Sequence, residues 1–243
     1  MHRFRCPIER TASRIELTDT TEIHHLKNVL RLKPGGKIIV FDGKGLQARG
    51  EITELKQNKC TINVSRVEEA PHKELSLILA CAIPKKGKFE TVIEKATELG
   101  VAAIIPLKTK RTEVDLKGER AAKKRARFVA VALNAAKQSG RADIPRIEPI
   151  ASLGDCLKRL KGDCLLLMAG LVEPRKPLTQ IFPLEKHIKK IAVFIGPEGD
   201  FTDDEYALAR KEGAEIVSLG EHVLKVETAA LSSISFIQLM TGT

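Results

Sequence analysis

Two stretches near the C-terminal end carry residues whose types and spacing suit a backbone-lined ligand pocket. Ile191 to Glu205 reads IAVFIGPEGDFTDDE, and Ser218 to Ala230 reads SLGEHVLKVETAA. In the first, the apolar run Ile191 to Ile195 has strand length and the unbroken hydrophobicity of a strand covered on both faces. It stops at Gly196-Pro197. Pro197 fixes φ and lacks a donor, and Gly199 is free to take positive φ, so a tight turn there exposes main-chain N–H and C=O groups. Thr202 with Glu205 three residues on is a capping box, which predicts a helix from about Asp203 to Gly213. In the second, the short apolar run Ile216 to Leu219 breaks at Gly220, and Glu227-Thr228 precede a helix running through Leu231, Ile234, Ile237 and Met240. Two strand ends thus deliver two loops to one edge of a sheet, where open α/β sheets bind small molecules.

The elements that must position these loops follow from patterning. Residues 1–67 hold short β-type runs, His2 to Cys6, Arg14 to Leu17, Lys37 to Asp42, Leu46 to Leu55 and Lys59 to Val67, with one amphipathic helix from Thr21 to Arg31. They predict a small barrel-like β domain. Glu68 to Lys73 is polar and contains Pro71, as a linker would be. Residues 74–243 alternate instead. Leu75 to Ala82, Ala103 to Leu107 and Cys164 to Met168 read as strands, while Lys88 to Leu99 and Glu119 to Lys137 read as helices. Strands separated by helices predict an α/β domain with a mainly parallel sheet.

With 243 residues and a formal charge of +10, the chain is long enough for a large core and suited to a polyanionic partner. The charge is concentrated. From Lys108 to Arg141 there are eleven Lys and Arg against three acidic residues. Within it Arg120, Lys123, Lys124 and Arg127 recur at helical spacing opposite Phe128, Ala132, Leu133 and Ala136, giving a basic face and a packing face. Such a face alone is ordinarily just solvated. Here it leads into Gln138-Ser139-Gly140-Arg141, which favours phosphate contact. With no Trp, one Tyr and eight Phe, shape and phosphate contacts rather than base stacking should carry affinity for a nucleic-acid partner. The five cysteines form no CxxC pair and suggest reduced thiols, with neither disulfides nor a metal site. There is no long uncharged apolar stretch and no signal-peptide pattern at Met1 to Arg5, so a cytoplasmic protein without a membrane partner is expected. No GxGxxG follows a strand and no GxxxxGK[ST] is present, so the dinucleotide and P-loop readings lack their fingerprints.

Four collinear motifs resemble one family. GPEG with the following acidic helix start, then Leu219-Gly220, then Lys225 two residues before Glu227-Thr228-Ala229, resembles the C-terminal signature of SPOUT methyltransferases. His24-His25-Leu26 with Val29-Leu30-Arg31-Leu32 and Pro34-Gly35, Lys95 to Val101 (KATELGV), and Gln138 to Arg141 with Ile144-Pro145 extend the resemblance to the RsmE family, which methylates N3 of a uridine in small-subunit (16S) ribosomal RNA. The resemblance implies a PUA-like RNA-binding fold for residues 1–67 and a SPOUT sheet with a C-terminal trefoil knot for residues 74–243. It also implies a homodimer, with the apolar Leu231 to Met240 helix as an interface, and the 30S subunit as partner.

The same resemblance implies the site. S-adenosylmethionine would be held by Met168 and Ala169 of the preceding strand, by Ile195, Gly196, Pro197, Glu198 and Gly199 of the first loop, and by Leu219, Gly220, His222, Val223, Leu224 and Thr228 of the second. N3 of uracil carries a proton and is a poor nucleophile, so the proton must be removed or the ionised ring favoured. Arg141 and Lys225 are candidates to stabilise the anion, and Glu198 or Glu227 to accept the proton. An acidic residue at a helix start, such as Glu227, is also stabilised there with no catalytic role. RNA contacts are assigned to His25, Arg31, Arg111, Arg120, Lys123, Lys124, Arg127, Gln138 and Arg141. Two positions depart from the family pattern. Asp200 stands where a second glycine is usual, and Lys225, lacking the planar five-donor fork, where arginine is usual. These departures keep open an inactive RNA-binding or ribosome-assembly factor of the same fold. A methyltransferase acting on another RNA is the further alternative.

Overall fold

The computed structural model describes residues 1–71, 74–85, 87–112, 118–185 and 187–242. His72 and Lys73, the end of the expected linker, and Lys117 of the basic segment lie outside the described residues. The chain divides into two compact units, Met1–His72 with Ala136–Ile144, and Lys73–Ala135 with Pro145–Thr243.

In the first unit, alternating apolar residues build β1 (His2–Arg5), β2 (Arg14–Leu17), β3 (Lys37–Phe41), β4 (Leu46–Leu55) and β5 (Cys60–Glu69). They pair in the order β1-β3-β4-β5-β2, with β1 parallel to β3 and the other neighbours antiparallel. Along β4, Ala48, Gly50 and Ile52 point inward while Arg49, Glu51 and Thr53 point out, the period of two expected of a strand with one buried face. A Cβ at Gly50 would come within 2.5 Å of the Asn63 carbonyl oxygen, so glycine is required at this bulge. Phe4, Leu17, Leu26, Ile38, Val40 and Ile62 fill the core.

Asp19 caps α1 (Thr20–His24) by accepting the Thr21 and Glu22 N–H groups at 2.9 and 3.0 Å. The single helix expected over Thr21 to Arg31 is replaced by this short α turn and a wider π turn, His25–Val29, closed by Leu30 N–H to the His25 carbonyl at 2.9 Å. Arg31 then takes φ of 52°. Over so short a stretch, apolar spacing does not separate a π turn from an α turn. The Ala136–Ile144 segment is tied in by polar contacts: Arg3 Nη2 donates to the Arg141 carbonyl at 3.0 Å, Gly45 N–H to the Ala142 carbonyl at 3.2 Å, and Lys137 pairs with the buried Glu22.

The second unit contains β6 (Ser76–Ala82), α2 (Phe89–Glu98), β7 (Ala103–Lys108), α3 (Gly118–Ser139, its last turn in the first unit), β8 (Arg146–Ile147), β9 (Ala151–Ser152) and α4 (Leu153–Leu160). β10 (Leu165–Ala169), β11 (Lys176–Pro177), β12 (Lys190–Ile195), α5 (Asp203–Lys211), β13 (Glu215–Ser218) and α6 (Val226–Thr241) complete it. The strands pair in the order β11-β13-β10-β12-β6-β7-β8, with β9 also on β7, and every pair is parallel. One face, carrying Ala80, Ile105, Met168, Phe194 and Ile216, is covered by α4 and α5 through residues such as Leu157 and Ala209. α6 packs against β6, β12 and α2. Phe128 of α3 meets Phe89 of α2 edge-on, ring centroids 4.9 Å apart. No helix among the described residues is long and apolar enough to cross a membrane.

Candidate functional site: a cleft at three parallel strand ends

β13, β10 and β12 are neighbours in register, with Ala169 opposite both Ile195 and Val217, so their carboxyl ends finish at one level. The loops leaving them enclose a cleft whose empty space, about 570 Å³, includes open solvent, at the strand ends where open α/β sheets hold ligands. Its first wall is Ala169, Gly170, Leu171 and Arg175; its second is Ile195, Gly196, Pro197, Glu198 and Asp200. Its third is Leu219, Gly220, His222, Val223 and Leu224, continued by Val226 and Ala229 of α6.

The second wall is a tight turn followed by a capped helix. Asp200 N–H donates to the Pro197 carbonyl at 2.9 Å. The left-handed residue is Asp200, with φ of 62°, rather than Gly199. Aspartate tolerates that region because its short polar side chain bonds locally, and here both carboxylate oxygens lie 2.7 Å from the Tyr206 hydroxyl. That hydroxyl also accepts the Leu171 N–H at 3.2 Å, linking the first and second walls. The capping box is present, with Thr202 N–H donating to Glu205 Oε2 at 2.9 Å and Glu205 N–H to Thr202 Oγ1 at 3.4 Å. In the third wall, Ser218 Oγ accepts the Gly220 N–H at 3.3 Å and donates to the Gly220 carbonyl at 3.0 Å. Gly220 has φ of 128°, which a side chain would strain. Among the described residues no hydrogen bond runs to the backbone N–H of Leu219, Val223 or Leu224, leaving donors for a ligand.

The cleft thus brings together ten residues of the cofactor assignment. Met168 is fully buried in the sheet beneath it. Gly199 faces Arg111 instead, a Cβ there lying 3.3 Å from Arg111 Cδ. Thr228 is exposed in the first turn of α6, outside the lining. Patterning missed Gly170, Leu171, Arg175, Val226 and Ala229: the first three follow β10 in a segment without periodicity, and the last two read as plain helix.

The catalytic candidates are divided. Glu227 and Lys225 stand at the start of α6, Glu227 inside its first turn rather than before it and Lys225 exposed at the cap. Glu227 Oε1 accepts from Lys88 Nζ at 2.8 Å, and this bond, with its own N–H, holds the carboxyl below its ordinary range. Glu198 Oε1 accepts the Lys85 N–H at 3.0 Å. The loop after β6 therefore touches both carboxylates, a role the sequence did not signal. Arg141 belongs to the first unit, where Asp143 holds its guanidinium.

Of the RNA candidates, His25 lies in the π turn with its ring 6.1 Å from Phe4, while Arg31 and Gln138 are exposed. Arg111 donates to the carbonyls of Gly199 and Phe201, bracing the second wall. On α3, Arg120 is exposed, Lys123 pairs loosely with Glu119 at 3.6 Å, Arg127 pairs with Glu90 at 2.8 Å, and Lys124 Nζ lies 6.0 Å from the Phe128 ring centroid.

A family model for an RNA methyltransferase domain matches residues 71–238, and one for an RNA methyltransferase PUA domain matches residues 17–65. The ribosomal RNA small subunit methyltransferase E of Bacillus subtilis is 31% identical, over 96% of this chain and 95% of its own. The chain belongs to the ribosomal RNA small subunit methyltransferase E family. The RsmE structure from Neisseria gonorrhoeae, bound to S-adenosyl methionine, matches with a TM-score of 0.87 at 30% identity, covering 98% of this chain and 97% of that one. A Legionella pneumophila methyltransferase in complex with SAM matches with a TM-score of 0.86 at 30% identity, covering 98% and 96%. The parallel α/β sheet is thus of the SPOUT methyltransferase type, joined to a PUA-like domain.

Proposed function

We propose that this chain methylates N3 of a uridine in 16S ribosomal RNA with S-adenosylmethionine, acting in the cytoplasm on the 30S subunit as a homodimer. The observation that carries the reading is the three-walled cleft at the β10, β12 and β13 ends, in a chain of this family. Its residues fit the cofactor. Open backbone donors at Leu219, Val223 and Leu224 suit an adenine edge, and the apolar rims at Leu171 and Val223 suit its faces. When bound, the cofactor supplies a methyl group on a positively charged sulfonium. Residues 74–243 hold it, and residues 1–67 with the basic face of α3 hold the RNA.

The remaining work is assigned to charged side chains. Glu227, ionised beside Lys88, is assigned as acceptor of the N3 proton, with Glu198 as the alternative. Transfer of Lys88 to an RNA phosphate would release Glu227 from its ion pair and make it a stronger base. Lys225 and Arg141 are assigned to the uracil oxygens, where positive charge favours the ionised ring. A trefoil knot is supported by the path: the chain places β13 beyond β10, then returns as α6 to pack on β12 and β6. The exposed Leu239 and Met240 of α6 support the dimer. Ultraviolet crosslinking of labelled S-adenosylmethionine tests the cleft assignment. Label is expected on peptides spanning residues 169–175, 195–200 and 219–229, and label confined to other peptides would refute it.

A further inference from the structure

Four titratable side chains line the cleft, Arg175, Glu198, Asp200 and His222. Glu198 and His222 are exposed, whereas Arg175 and Asp200 are half-buried and fixed in orientation. Asp200 is held by its left-handed backbone and by Tyr206, whose hydroxyl lies 2.7 Å from each carboxylate oxygen. A phenol has one proton, so it serves one of those oxygens at a time and leaves the negative charge in place. Arg175 Nη1 donates to the Gly170 carbonyl at 3.1 Å and Nε to Glu173 Oε1 at 3.0 Å. Among the described residues its Nη2 has no partner. The Tyr206 hydroxyl, bonded to both Asp200 and the Leu171 N–H, ties the loops that carry the two charges.

An anchored anion and an anchored cation in one cleft match an α-amino-acid zwitterion. We propose that Asp200 receives the α-ammonium and Arg175 the α-carboxylate of the amino-acid portion of S-adenosylmethionine, which rests on the cofactor assignment above. Asp200 is then a specificity-determining residue of this chain. Each contact is a charge-assisted hydrogen bond, the strong kind.

Calorimetric titration with S-adenosylhomocysteine and with 5′-methylthioadenosine, which shares the adenosyl thioether but lacks the amino acid, separates the roles. Asp200→Asn keeps the shape, the tolerance of left-handed backbone and an acceptor for Tyr206, and removes the charge, one carboxylate oxygen becoming an NH2 donor. It is expected to weaken S-adenosylhomocysteine about tenfold or more while leaving 5′-methylthioadenosine unchanged, and Arg175→Gln is expected to show the same selectivity. Equal weakening of both ligands would overturn the proposal, because the residues would then only shape the loops. No change with either ligand would overturn it too. If the unmodified protein bound neither compound, the cofactor assignment would fall, and the zwitterion site with it.

Discussion

Lys88 and Glu227 are 139 residues apart in sequence and 2.8 Å apart in the fold. With the lysine 45% and the glutamate 24% exposed, such a pair adds little stability. The Lys88 bond depresses the Glu227 carboxyl from its ordinary 4.5. The sign follows: the contribution to stability is fully present above that unfolded-state value and is lost as pH falls through the lowered folded-state value. Lys88→Met should raise the Glu227 pKa toward 4.5 in a carbon-detected NMR titration. An unmoved titration would show that Lys88 does not govern this carboxylate. The glutamate at a helix start was legible in the sequence; its lysine partner was not, because no local pattern records a contact between two helices so far apart in the chain. Asp200 was legible as an oddity; the role proposed for it rests on its contact with Tyr206, which no motif signalled.

The second wall of the cleft depends on one helix start. Thr202→Ala removes the acceptor for the Glu205 N–H while leaving the Glu205 carboxylate on the residue 202 N–H. It should cost about 1 kcal/mol of stability in denaturant unfolding and weaken S-adenosylhomocysteine binding. Unchanged unfolding would mean that α5 does not depend on this cap. This element was legible to the residue at its N-terminus, since Thr and Glu three apart form a chemical signature. The longer strands, among them β4, β5, β6, β7, β10 and β12, were legible because buried parallel strands and half-buried antiparallel ones leave distinct apolar patterns. β8, β9 and β11, each of two residues, are too short to carry a period. α4 is different: Leu153, Cys156, Leu157 and Leu160 are all buried behind a Ser152 cap, a readable amphipathic pattern that the sequence reading passed over.

At the scale of the molecule, charge and connectivity do separate work. The basic face of α3 is available to a polyanion, with Arg120, Lys123 and Arg127 exposed. Neutralising Arg120, Lys123, Lys124 and Arg127 to Gln should lower RNA affinity and reduce the slope of log affinity against log salt by about 3, with S-adenosylhomocysteine affinity unchanged. An unaltered slope would remove α3 from the RNA surface. The return of Ala136–Ile144 to the N-terminal unit was not legible, since its partners Arg3, Glu22 and Gly45 lie about a hundred residues or more upstream. The measurement that tests the central claim most directly is transfer of labelled methyl from S-adenosylmethionine to 30S particles lacking the modification, with naked 16S RNA and transfer RNA in parallel and nucleoside analysis of the product. A 3-methyluridine signal from the 30S particles is the predicted result. Folded protein that transfers no methyl to any of these RNAs, or that yields a different methylated nucleoside, would contradict it.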